Sequence, residues 1–149
     1  MNFLKAAAAA VLSATALIAP VESSNYTPGQ KSLVAELERS GVTIEVGNCR
    51  NPMLYGFFVA ETRTIGVCTN NHEATEDPWQ TLRHEAVHAA QHCVDPSMMF
   101  TVSTSTYIVN NGSQSDWDFI QQMYPREAWA IELEAFTLMR STDSQVANV

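Results

Sequence analysis

The chain has 149 residues, room for one domain with one core and too little for two. A hydrophobic fraction of 46%, with three Trp, four Tyr and six Phe, excludes a disordered chain. Acidic residues outnumber basic ones 16 to 8, giving a formal charge of −8 with no Lys/Arg stripe. That balance excludes a phosphate-neutralising surface, and nucleic acid with it.

Met1 to Lys5 carries one positive charge, and Ala6 to Ala19 is an unbroken run of small and apolar residues. The run is shorter than the roughly 20 residues a bilayer span needs, and it fits the apolar segment of a secretory signal. Cleavage is expected after Ser23, with Val21 and Ser23 as the small residues at the cut. The expected organisation is a signal peptide at 1–23 and a single domain at 24–149, with a polar tail from about 141. The destination is then secreted or periplasmic, with no stable membrane span after processing; the alternative is an uncleaved segment acting as a weak anchor. Export makes Cys49, Cys68 and Cys93 disulfide candidates, and three cysteines allow one bridge and one leftover, with all three pairings open. No Cys-x-x-Cys spacing exists to make a thiolate metal site.

Leu33, Val34 and Leu37 at helical spacing before Gly41 predict a first helix over about Gln30 to Ser40. Val42, Ile44 and Val46 alternate with Thr43 and Glu45, the period of a strand. Phe57 to Cys68, broken by Glu61-Thr62-Arg63, reads as a hairpin or two short strands. Asp77-Pro78-Trp79-Gln80 combines a capping carboxylate with a proline suited to a first helical position. The helix starting there runs to about Cys93, before Val94-Asp95-Pro96 stops it. Ser97 to Gly112, rich in Thr, Ser and Val, receives no firm assignment. Ser115 with Asp118 is read as capping a short helix through Met123, and Pro125 opens a last helix to about Arg140.

The helix from Pro78 carries His84-Glu85-Ala86-Val87-His88. Residues four apart share a helix face, so His84 and His88 can direct two imidazoles at one metal ion. Glu85, one position on, is displaced from that pair and suits a general base acting on a metal-activated water. A catalytic zinc wants three protein ligands and an open position. The pattern HExxHxxGxxH cannot supply the third, because Gln91 and Val94 stand where it has Gly and His. His88 and His92 are also four apart, but that register has no glutamate beside its first histidine, and His92 reads as solvated or as bracing a ligand from behind.

At about 100° per residue, Ile131, Ala135, Ala128, Met139, Phe136 and Trp129 fill one arc of the last helix, with Glu132 near its middle. Arg126, Glu127, Glu134 and Thr137 fall on the other side, where solvated charges are expected. A carboxylate among apolar neighbours is costly unless paired or bound to metal, so Glu132 is the expected third ligand. Glu127 is the reserve, and a buried salt bridge to Arg83 is the competing explanation of Glu132.

With HEAVH and these glutamates in place, the chain resembles zincins of the gluzincin type, in which the two histidines of HExxH and a downstream glutamate hold zinc. Glu132-Leu133-Glu134-Ala135 resembles the glutamate-x-x-alanine element supplying that ligand, and Glu127-Ala128-Trp129-Ala130 fits it too. Thr64-Ile65-Gly66-Val67-Cys68, Leu82-Arg83-His84-Glu85-Ala86-Val87-His88 and Cys93 are also distantly similar to the mitochondrial inner-membrane metallopeptidases related to the ATP synthase processing protease. The resemblance implies a small α+β zincin-like domain: an active-site helix packed on a short, mainly antiparallel sheet, with a C-terminal helix supplying the third ligand. It further implies an edge strand near Thr62 to Val67 able to pair with an extended substrate, and it favours a Cys68–Cys93 bridge.

The expected function is therefore an exported zinc-dependent endopeptidase acting on protein or peptide substrates. The alternative is a catalytically inactive, zinc-stabilised binding or inhibitory module, and a third reading is a structural exported domain carrying the motif by accident.

Overall fold

A computed structural model describes residues 27–74, 77–98, 101, 103 and 105–141. The expected signal peptide at 1–23 lies outside the described residues, as does the tail beyond 141. Helix α1 (Pro28–Arg39) opens on a reciprocal cap: the Thr27 hydroxyl accepts from the Gln30 N–H, and the Thr27 N–H donates to the Gln30 side chain. Gly41, at φ +78°, turns the chain from this helix into the sheet.

Strands β1 (Thr43–Gly47), β2 (Gly56–Val59) and β3 (Thr64–Cys68) form one sheet in the order β1-β3-β2. β3 pairs antiparallel with β2 and parallel with β1. The sheet is therefore mixed, which corrects the expectation of a mainly antiparallel one. The connection at 48–55 carries the chain past the centre to the far edge, so the hairpin return lays β3 beside β1 in the same direction. A second expectation changes with it: β3 is the central strand with both sides paired, and among the described residues the free edges belong to β1 and β2.

One face of β3 presents Ile65 and Val67 to the helices. On the opposite face the Phe57 ring lies over Gly66, where a Cβ would fall 2.2 Å from its Cζ. Gly56 faces the helices, and there a Cβ would meet the Thr81 methyl at 2.4 Å and Glu85 Cγ at 3.2 Å. A side chain at that position would hold β2 away from the helix beneath it.

That helix is α2 (Pro78–Val94). Its Asp77 carboxylate accepts from the Trp79 N–H at 2.9 Å, and it ends at the Asp95 that precedes Pro96. Ser97 to Gly112, unassigned from sequence, contains α3 (Ser105–Asn111) despite its β-branched residues. Helix α4 (Gln114–Met123) is capped by Ser113, two positions before the expected Ser115. After Pro125 a 3-10 turn at Arg126–Ala128 leads into α5 (Trp129–Leu138).

Helix α5 joins two sets of core residues. Ala135 and Leu138 pack with Leu82, Ala86, Val87 and Ala89 of α2 under the sheet. Phe136 and Met139 pack with Ile120 and Tyr124. Covered by α2 on one side and by α3 and α4 on the other, α5 buries even its polar positions: Glu134 is fully buried and Thr137 nearly so. Both were expected among solvated charges; single-sided periodicity fails on a helix wrapped from two sides.

The disulfide joins Cys49 to Cys68, with Cα atoms 5.1 Å apart, and not Cys68 to Cys93. The parallel register explains it: Gly47 pairs with Cys68, so Cys49, just past β1, arrives beside the end of β3. The connection is further pinned by Asn70, whose amide exchanges hydrogen bonds with Cys49, and by Asn71, which donates to the carbonyls of Asn51 and Leu54. Cys93 is free and exposed in the last turn of α2. Such a bridge belongs to an oxidising environment, and among the described residues no helix is long and apolar enough to cross a membrane. Replacing Cys49 and Cys68 together by Ala should cost about 3 kcal/mol of stability. Cys93→Ser should change it by less than about 0.5 kcal/mol. Urea-unfolding midpoints check both, and comparable losses from the two would contradict the pairing.

Candidate metal centre

Helices α2 and α5 pack against each other, and polar side chains of both meet across the contact. His84 and His88, one turn apart on α2, point their Nε2 atoms at each other, 3.1 Å apart. Glu132 of α5 brings its Oε2 to 3.4 Å from His84 Nε2 and 3.6 Å from His88 Nε2. Glu85 lies beside them, and these four residues are only 2–4% exposed. His84, His88 and Glu132 form a three-donor group that could hold a metal ion.

The spacing fits that role. Contacts of 3.4 and 3.6 Å are long for hydrogen bonds. Glu132 Oε2 is buried with no hydrogen-bond partner among the described residues. Three donor atoms bound at roughly 2.1 Å to one tetrahedral ion would stand roughly 3.4 Å apart. The observed edges of 3.1, 3.4 and 3.6 Å bracket that value. Lone pairs converging in a buried space require a positive charge among them, a proton or a metal ion.

The other candidates stand elsewhere. Glu127 is exposed in the 3-10 turn before α5. His92 packs its ring against Phe58, centroids 5.8 Å apart, and is not in the donor group. Glu134 is buried but already occupied: Gln91 Nε2 donates to its Oε2 at 2.9 Å, and the Ser103 N–H donates to its Oε1. Gln91 also donates to the Ile131 carbonyl at 2.9 Å and meets His88 Nδ1 through Oε1 at 2.7 Å. Sequence reasoning passed over Gln91 as a mere replacement for a glycine. The signal was available, because Gln91 lies three residues after His88 on the same helical face.

Without metal, the cluster is held by protons. Burial opposes the charging of His88, but the Glu132 carboxylate, helped by Glu85 and Gln91, outweighs it and lifts the imidazole from 6.5 to about 9. Burial likewise opposes ionisation of Glu132, yet His88 and His84 outweigh it and lower the carboxyl from 4.5 to about 2. Glu85 is raised, chiefly by burial, against the opposing pull of the two histidines.

The signs follow by linkage. Protonated His88 contributes stability that is full below 6.5 and lost as pH rises through about 9. Ionised Glu132 contributes stability present above 4.5 and lost as pH falls toward about 2. Melting of chelator-treated protein should therefore fall from pH 6.5 to 9, while the stabilisation gained on adding a divalent metal should grow over the same range. Metal uptake at pH 7 should release protons, read by calorimetry in two buffers of different ionisation enthalpy. A metal-induced shift that is constant across this range would contradict the assignment.

No curated protein and no solved structure matches this chain. The sequence model of one family, described as a domain of unknown function (DUF8637), matches residues 17–149, and the chain belongs to that family.

Proposed function

We propose that the protein is an exported zinc-dependent endopeptidase, with zinc held by His84, His88 and Glu132 and with Glu85 as general base. The observation that carries the reading is the buried convergence of two imidazole nitrogens and one carboxylate oxygen at 3.1 to 3.6 Å, with a second carboxylate on the same helix left outside it. Two histidines and a carboxylate at tetrahedral spacing favour zinc over the harder divalent ions. Bound there, zinc would supply a Lewis acid that polarises a scissile carbonyl and acidifies a water.

The chain's own groups do the rest. Glu85 takes the proton of the attacking water and returns it to the leaving amine. Its elevated carboxyl pKa, caused by burial, suits a group that must both accept and release that proton. The Phe136 ring, edge-on to His84 at 4.8 Å, holds that ligand in place. The free edge of β2 begins at Gly56, which lies against Glu85, so an extended peptide pairing with that edge would run beside the general base. The disulfide supports an exported location.

A second reading draws on a specific observation as well. With donors only 2–4% exposed, the ion could be structural and the protein a zinc-stabilised binding or inhibitory module. Glu85→Gln separates the two. It should keep zinc, measured by atomic emission, while lowering peptide hydrolysis by roughly 10²–10⁴-fold. His84→Ala should lose the metal. Purified wild type without zinc would end both readings, and zinc-loaded wild type inert toward a broad peptide library would favour the module.

A further inference from the structure

We infer that Gln91 is the positioning residue of the metal site: clamped by Glu134, its amide fixes His88 as the Nδ1–H tautomer and keeps the Nε2 lone pair aimed into the donor group. This rests on the metal-site reading above and adds residues that the reading does not require.

The orientation of the Gln91 amide is determined by its neighbours. Its Nε2 faces two acceptors at 2.9 Å, the Ile131 carbonyl and Glu134 Oε2. Turning the amide over would set Oε1 against both oxygens, in a place where Gln91 and Glu134 are fully buried and water cannot relieve the repulsion. Oε1 must therefore face His88 Nδ1, 2.7 Å away. A carbonyl oxygen only accepts, so Nδ1 carries the hydrogen, and neutral His88 has its free lone pair on Nε2. That is the nitrogen that faces His84 and Glu132. A reversed amide would present N–H to Nδ1, stabilise the other tautomer and place a hydrogen where the ion binds.

Glu134 is itself held. Its second oxygen accepts the Ser103 N–H, from the connection between α2 and α3. One hydrogen-bonded path thus runs from that connection through Glu134 of α5 and Gln91 to His88. His84 has no equivalent: its Nδ1 is buried without a hydrogen-bond partner among the described residues, and ring packing against Phe136 orients it. The two histidine ligands are therefore set by different means, one by a directed hydrogen bond and one by shape.

The test compares wild type with Gln91→Leu, Glu134→Gln and the exchange Gln91→Glu/Glu134→Gln. The exchange restores an acceptor for His88 and, from position 134, a donor to hold it, with net charge unchanged and with the hydrogen bond to the Ile131 carbonyl given up, so partial recovery is the expectation. Zinc affinity is read by competition with a chelating dye, and the His88 Nδ1–H resonance by proton–nitrogen correlation spectroscopy of the zinc-loaded protein. Gln91→Leu should bind zinc roughly 10–100-fold more weakly, and its Nδ1–H signal should lose the downfield shift of a hydrogen bond. The exchange should recover the signal in part and bind more tightly than Glu134→Gln alone. Wild type that binds no zinc would overturn the metal reading itself. Wild type that binds zinc, with Gln91→Leu within twofold of it and its resonance unmoved, would overturn only the positioning role. Should Gln91→Leu fail to fold, an exchange variant that binds zinc no more tightly than Glu134→Gln overturns the positioning role in its place.

Discussion

The contact between α2 and α5 governs this molecule, because it encloses His84, Glu85, His88 and Glu132 in one nearly dry space. Burying an isolated carboxylate or imidazolium is expensive, and the expense is offset only by opposite charge and complete hydrogen bonding. Here the compensation is partial when protons alone supply the positive charge. Glu132 Oε2 and Glu85 Oε2 have no hydrogen-bond partner among the described residues. A cation at the meeting point of the three donors would neutralise the carboxylate and satisfy both imidazoles at once. The rest of the fold supports that contact: the sheet covers α2, and α3 and α4 pack on α5.

Much of this was legible from local chemistry. Helix α2 announces itself through Asp77-Pro78 at one end and Asp95-Pro96 at the other, and both signals act within a few residues. The pairing of His84 with His88 follows from helical periodicity alone. Glu132 stood out because a carboxylate on an apolar arc demands a partner, and the fold brings it to the two imidazoles. Each of these inferences depends on a single element and its own spacing.

What escaped depends on which elements meet. The Cys49–Cys68 bridge follows from β1 lying parallel to β3, and no periodicity within either strand reveals that order. The burial of Glu134 follows from Gln91 of α2 and Ser103 of the connection after it meeting a helix face that sequence assigned to solvent, and α3 itself forms in a segment whose Thr and Val residues argue for extended structure. Gln91 was visible on the helix face that carries the two histidines, but its partners Glu134 and Ile131 lie at sequence separations of 43 and 40. Long-range polar contacts of this kind leave no trace in a window of neighbouring residues.

The disulfide and the donor group also differ in the lengths of chain they enclose. The cystine closes a ring with a sequence separation of 19, tying the end of β1 to the end of β3. An ion bound between α2 and α5 would close a second and longer ring, containing α3 and α4. Cross-linking removes more freedom from the unfolded chain as the enclosed segment lengthens, though only logarithmically. The two closures would divide the labour, one covalent and anchoring the sheet, the other reversible and fastening the helical half. Because two donors lie on α2 and the third on α5, the second ring would close only where those helices are docked, so a bound ion would report on tertiary assembly and not on the helix that carries the histidines.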